Sequence, residues 1–320
     1  MKKTLDLRNW DAAQKLVRDW EAGTTHAERV TVEEACTAFL QDCEARKLSA
    51  ASMGKYKILT EELKREFKTR VVGSVEIQDL RSCRERWELS PLSARKKLER
   101  LRTFFKFCHE SGWTRGNPAK AIKPPVAKPV PTLPFDDDEI EKITWAVELF
   151  PNRGTHGANT RGRVRAFVNL LRYSGLRIRD ATTLSKEKVQ KGKLLLYTQK
   201  TGTPVWLPLP KPVVEELQQI DEGGHYYFWT GNGSEKSGVS VWQRTLSKLF
   251  EKAGVTNGHA HRFRDTFSVN LLQAGVPLET VSILLGHSSV KITEKHYSPW
   301  VKSRQVKLEE SIERAWRLSG

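Results

Sequence analysis

A chain of 320 residues that is 38% hydrophobic and carries ten tryptophans has apolar mass for two cores and too much of it for disorder. Its 54 lysines and arginines outnumber 38 acidic residues, giving a net charge of +16, and the basic residues recur along the chain instead of filling one tail. That balance points to a polyanionic partner, nucleic acid first, while no run approaches the ~18 apolar residues of a membrane span.

MKKTLDLRNW begins basic, but Asp6 and Arg8 interrupt any apolar run, so no signal peptide is expected. Within an extension over 1–29, WDAAQKLVRDWEA predicts a helix of unassigned role. VTVEEACTAFLQDCEARKL opens on a Thr31 cap followed by acids, and Ala35, Phe39 and Cys43 recur at spacing four on one face. ASMGKYKILTEELKREF and SPLSARKKLERLRTFFKFCHESG continue the helical period. In the second of these, Leu98, Leu101, Phe105 and Cys108 form an apolar stripe. Arg95, Lys96, Arg100, Arg102 and Lys106 cover much of the remaining surface. Such a face is commonly just solvated, but charge of nearly one sign makes it a candidate for facing phosphates. Cys36, Cys43, Cys83 and Cys108 form no CxxC pair, which predicts buried reduced thiols, no zinc, and a reducing, cytoplasmic compartment.

GNPAKAIKPPVAKPVPTLPF, residues 116–135, holds six prolines and reads as an extended, semi-rigid linker between a domain over 30–115 and a second from 136. FDDDEIEKITWAVELF then starts a helix on acids, as the helix dipole favours. A basic loop, NRGTHGANTRGR, leads into RVRAFVNLLRYSG, with Gly175 as its C-terminal cap. Two β-prone runs in KLLLYTQKTGTPVWLPLP flank Lys200-Thr201-Gly202, a hairpin signal. SVWQRTLSKLFEKAG, RFRDTFSVNLLQAG, LETVSILLG and SVKITEKHY return to the helical period, so this domain is predicted mostly α with one small antiparallel sheet.

Six polar residues fall at predicted element ends. Arg177 follows the Gly175 cap, Lys200 sits at the hairpin turn, and His261 and Arg264, three apart, share a helix face. His287 follows Gly286, and Tyr297 lies ten residues on. Taken singly, each has a plain explanation as a cap, a solvated turn, a loop residue or a core aromatic. As a set they suit a phosphodiester. Two guanidinium forks match phosphate oxygens and stabilise a pentacoordinate transition state. A tyrosine hydroxyl can attack phosphorus, a histidine can relay its proton, and a lysine can protonate the departing oxygen. No cluster of Asp and Glu suggests a two-metal site, so neither metal nor cofactor is expected.

In that order the residues resemble the tyrosine recombinase (phage integrase) family. The matching stretches are YSGLRIRDATTL, LYTQKTGTPVWLPL and HAHRFRDTFSVNLLQAGVPLETVSILLGHSSVKITEKHY. The resemblance implies a mainly α, two-domain fold: a helical core-binding (SAM-like) domain over 30–115 and a mixed α catalytic domain over 136–300. It implies a site-specific DNA recombinase of a mobile element, with Arg177, Lys200, His261, Arg264, His287 and Tyr297 as catalytic set and a covalent 3′-phosphotyrosine intermediate. Its partner would be double-stranded DNA, clamped between the domains and gripped also by Arg95, Lys96, Arg100, Arg102 and a basic loop with Arg161, Arg163 and Arg165. Four protomers would assemble on paired sites. In the tail over 301–320, Val306, Ile312 and Trp316 lie on one apolar stripe that could pack on its own domain, and the resemblance implies docking onto a neighbour instead. Phe263 and Asp265 stand where the family often has Leu and His, and Asp265 falls outside the catalytic set. Alternatives with other outcomes are a type IB topoisomerase, which relaxes DNA without site choice, and a DNA-binding regulator that does not cut. An RNA-binding protein would need stacking aromatics; the HYYFWT segment is the one candidate and reads as core.

Overall fold

The computed structural model describes residues 10, 14, 30–126, 133–152, 160–220, 223–297, 300, 309, 312, 313 and 316. The chain divides into two compact units, Met1–Pro129 and Val130–Gly320. Of the predicted N-terminal helix, Trp10 and Gln14 are described, and both are helical.

The first unit is helical. Helix α1, Val32–Ala45, starts on a capping box in which Thr31 Oγ1 accepts from the Glu34 amide at 3.3 Å and Glu34 accepts from the Thr31 amide at 2.8 Å. Ser49 caps α2, Ala50–Phe67; α3 spans Ile77–Glu85; Ser90 caps α4, Pro91–Glu110, whose Pro91 needs no amide partner in the first turn. The predicted stripes are the buried ones: Ala35, Phe39 and Cys43 of α1 join Leu98, Leu101, Phe105 and Cys108 of α4 within one core. Phe39 is its hub, edge-on to Tyr56 at 5.0 Å and to Phe104 at 5.5 Å. Each fully buried Phe contributes about 1.5–3 kcal/mol. Burial pushes the Cys36 and Cys108 thiols up to about 12, so they stay protonated.

The predicted linker begins later than its prolines suggest. Pro118–Ala121 form a 3-10 turn capped by Asn117, and Ala119 and Ile122 are buried in the first core. Pro118 occupies a turn position where a missing N–H costs nothing. At the other end, Phe135 is buried in the second unit.

In the second unit, an Asp136–Glu139 capping box starts α5, Asp137–Glu148. Helix α6, Thr160–Ser174, precedes the short α7, Ile178–Thr182. A three-stranded antiparallel sheet follows in the order β1 (Val189–Gln190), β2 (Lys193–Tyr197), β3 (Pro204–Pro208), with Leu194 opposite Leu207 and Leu196 opposite Val205. Those four side chains point into the core, and Gly202, at φ +65°, makes the turn. Helices α8 (Lys211–Gln219), α9 (Glu235–Lys252), α10 (Ala260–Gln273) and α11 (Leu278–Leu284) follow, then a helix over 290–297, α12. Phe167 of α6 stacks on Trp242 of α9 at 3.9 Å, and Tyr227 and Phe228 of the HYYFWT segment are buried in the same core. Among the described residues no helix is long and apolar enough to cross a membrane.

Candidate active site

Gly175 ends α6 at φ +60°, where a Cβ would lie 2.5 Å from the Phe267 ring. Only glycine suits that left-handed, crowded position, and the turn it makes delivers Arg177 to the start of α7. The Gly175 carbonyl also accepts from Arg264 Nη1 at 2.7 Å, while Arg264 Nη2 donates to Leu285 O at 2.5 Å. Arg264, on α10, is 2% exposed; burial, then the neighbouring Arg177, push its pKa down to about 10, which leaves it cationic at neutral pH. Arg177 Nη1 is buried with no hydrogen-bond partner.

Lys200 stands exposed at the β2–β3 turn. The next residue ties that turn down: Thr201 Oγ1 donates to Gly286 O at 2.9 Å and lies 2.6 Å from Thr198 Oγ1. Gly286, at φ +59°, has no room for a Cβ, which would meet Thr198 and Val205 methyls at 2.8 and 2.9 Å. His287 follows, its Nδ1 held 2.7 Å from Thr293 Oγ1 of α12. Burial first, then Arg264 and Arg177, push its pKa down to about 3, so the ring is neutral at pH 7. His261 sits at the rim, its side chain 59% exposed and its Nε2 3.9 Å from Asp265 Oδ1. Burial against the wall lowers its pKa, with Asp265 opposing and Arg264 assisting.

Tyr297, on α12, is 2% exposed, and its hydroxyl donates to Asp265 Oδ1 at 2.7 Å. Burial, then the Asp265 carboxylate, raise its pKa above the ordinary phenol value. Arg177, Lys200, His261, Arg264, His287 and Tyr297 all line one cavity of about 820 Å³, so the six residues scattered over 121 positions of sequence meet in one place. Its charged lining is cationic apart from Asp265. A hydroxyl nucleophile, two guanidinium groups, an ammonium and a neutral imidazole facing one space can hold an anionic diester and attack it. Among the described residues no three His, Cys, Asp or Glu side chains converge as a metal site requires.

Two carboxylates escaped the sequence reading. Asp265, placed outside the set, holds the Tyr297 hydroxyl. Asp180, buried one turn beyond Arg177, accepts from the Gln199 amide at 3.0 Å and so joins α7 to the turn that carries Lys200. Burial raises its pKa, opposed by that amide and then by Arg177. Its spacing of three from Arg177 was the available signal.

The expected phosphate-gripping residues divide. Arg95 and Lys96 are exposed and Arg100 half-buried on α4, with no ion pair among the described residues. Arg102 already has protein partners: it donates to Ala119 O at 3.2 Å and Ile122 O at 2.6 Å, and pairs with Glu99 at 2.9 Å. The basic loop is corrected, because α6 already begins at Thr160 and carries Arg161, Arg163 and Arg165. Glu148, at the end of α5, pairs with Arg165 at 2.5 Å and Arg161 at 3.6 Å, and Arg161 donates to Phe150 O at 2.8 Å. Arg163 lines a different cavity, beside Trp229 and Val241. In the tail, Val306 lies outside the described residues, while Ile312 and Trp316 are helical and 46% and 71% exposed.

The model of the phage integrase family matches residues 135–302, 168 of the 320 and so just over half of the chain. Tyrosine recombinase XerC of Oceanobacillus iheyensis is 24% identical over 222 residues, covering 65% of this chain and 70% of that protein. A lambda integrase dimer bound to a COC′ core site aligns with TM-score 0.69 at 17% identity, over 91% of this chain and 85% of that one. A lambda integrase tetramer bound to a Holliday junction gives 0.67 at 16%, over 89% and 83%. At these identities the structural likeness is one of fold.

Proposed function

This chain belongs to the phage integrase family, the tyrosine recombinases, and on that premise we propose that it cuts and rejoins DNA through a covalent 3′-phosphotyrosine at Tyr297. Arg177 and Arg264 hold the non-bridging oxygens of the scissile phosphate. The Tyr297 oxygen attacks phosphorus, and Lys200 protonates the departing 5′ oxygen. The 5′ hydroxyl of a partner strand then reverses the step. One ester replaces another throughout, so the reaction needs no high-energy cofactor. His287, neutral and pinned by Thr293, and His261, at the rim, complete the shell around the phosphate.

The observation that carries this reading is the buried Arg177 Nη1, orphaned in the cavity that also holds Tyr297. A buried donor without a partner costs about 1–3 kcal/mol. A phosphate oxygen supplies the missing acceptor. Work on paired sites by four protomers is the assembly we assign, supported by the fold shared with the lambda integrase tetramer bound to a Holliday junction and by the exposed Ile312 and Trp316 of the tail. The element served is mobile, as the family's phage members suggest.

The test selects duplexes from a random pool with the non-cutting Tyr297→Phe protein. Nicked suicide versions are then offered to wild type without added metal. A denaturation-resistant protein–DNA adduct in wild type, absent in Tyr297→Phe, is the expected result. Tight binding without an adduct would mark a regulator that does not cut. Efficient relaxation of supercoiled DNA lacking the selected sequence would mark a topoisomerase.

A further inference from the structure

The phenol that must lose its proton already points it at a carboxylate. Tyr297 donates to Asp265 Oδ1 at 2.7 Å, and both residues are buried, at 2% and 7% exposure. We propose that Asp265 is a catalytic residue, accepting the Tyr297 proton as the strand is cut and returning it as the strand is resealed. This rests on the strand-transfer reading above and adds the proton acceptor that reading lacks.

The other groups on the wall suit the task less well. Arg177, Arg264 and Lys200 are cations with no free electron pair to offer. Among the described residues His287 has its hydrogen bond to Thr293 and none to the Tyr297 hydroxyl, and His261 stands at the rim, 3.9 Å from Asp265. His296 shares the cavity wall from the helix of Tyr297 itself. An anionic oxygen at hydrogen-bond distance from the hydroxyl meets the geometric requirement for a general base.

The step balances. The Tyr297 O–H bond breaks as the O–P bond forms, and the proton goes to Asp265 Oδ1. The bond from phosphorus to the 5′ oxygen breaks, and that oxygen takes a proton from Lys200. Resealing runs each transfer backwards. His261 Nε2, 3.9 Å from the same carboxylate oxygen, offers the proton a way to solvent at the rim.

Asp265→Asn keeps the size and the hydrogen-bond acceptor but cannot take the proton. With the selected suicide duplex, its adduct formation should fall by about 10²–10⁴-fold near pH 7, with DNA binding retained. The deficit should shrink as pH rises, because hydroxide then deprotonates the phenol. A fluorinated, more acidic tyrosine at 297 should rescue the variant more than it speeds wild type. A second measurement needs no variant: with sulfur as the 5′ bridging atom the leaving group takes no proton, and wild-type cleavage should still be slower in heavy water. Asp265→Asn cutting as fast as wild type or faster overturns the proposal. So does a deficit that is constant with pH and indifferent to fluorotyrosine, or equal rates in the two waters. Failure of wild type to form any adduct overturns the strand-transfer reading itself, and this proposal with it.

Discussion

Arg262 and Arg264 sit two residues apart on α10 and both line the cavity of the second unit, but their donors are spent in different places. Arg262 faces the start of that unit, where all five of its N–H groups are spent. It donates to both Glu139 oxygens at 2.9 and 2.6 Å and to the carbonyls of Leu133, Pro134 and Thr256, with its guanidinium 4.2 Å over the Phe135 ring. Arg264 faces the cavity beside Arg177, whose Nη1 has no partner. A buried guanidinium with every donor satisfied is a structural staple. One with a donor left over, opening on a cationic cavity, awaits an anion.

Substitution should separate the satisfied arginine from the one with a donor left over. Arg262→Ala strands Glu139 and three carbonyls, so urea denaturation should report a loss of about 3–5 kcal/mol, the usual cost of breaking a buried pair. Cleavage per folded molecule should change little. Arg177→Ala should do the reverse. Adduct formation should drop by about 10²–10³-fold, worth about 2.7–4 kcal/mol of transition-state stabilisation, with the urea midpoint unchanged or higher because an unsatisfied donor has gone. Equal stability losses in the two variants would erase the distinction drawn from their hydrogen bonds.

Acid should probe the cavity side of the same comparison. Native His287, pushed down to about 3, stays neutral where an unfolded histidine, near 6.5, takes up a proton. Between those values the unfolded chain binds the extra proton, so stability is full above about pH 6.5 and falls as pH drops toward 3. The slope from this one site is at most about 1.4 kcal/mol per pH unit. Wild type should therefore lose more stability than His287→Gln between about pH 7.5 and 5, a range that spans the unfolded value, read as the difference in urea midpoints. Parallel losses would show that the ring is not kept neutral by its burial.

Much of this was legible in the sequence, for reasons specific to each element. The stripes of α1 and α4 were visible because a helix that buries one face must repeat near 3.6 residues. Gly175, Gly286 and the turn at Lys200-Thr201-Gly202 were visible because left-handed backbone and tight hairpins select glycine. The six cavity residues followed from their chemistry and order. Hidden were the pairings between distant segments. Nothing local says that Arg102 holds the carbonyls of Ala119 and Ile122, or that Glu148 is opposite Arg161 and Arg165, so a cationic helix face looked uniformly available. Asp265 was set outside the catalytic set on the family's pattern, and nothing local reveals its partner 32 residues away on another helix.

The smallest expected effect tests the finest contrast, between a lysine that is merely exposed and one that is held. Lys200 has its neighbour to fix it: Thr201 Oγ1 reaches across to Gly286 O and to Thr198 Oγ1, binding the hairpin turn to the segment that carries His287. Thr201→Val keeps the branched shape and removes both hydrogen bonds, a loss of about 0.5–1.5 kcal/mol. If the tether places the ammonium on the leaving oxygen, adduct formation should slow by about 3- to 10-fold with an ordinary 5′ oxygen. With the 5′ sulfur substrate, whose departure needs no proton, the variant and wild type should be equally fast. Slowing with both substrates would mean that the tether shapes the cavity as a whole. Slowing with neither would mean that Lys200 finds its place without it.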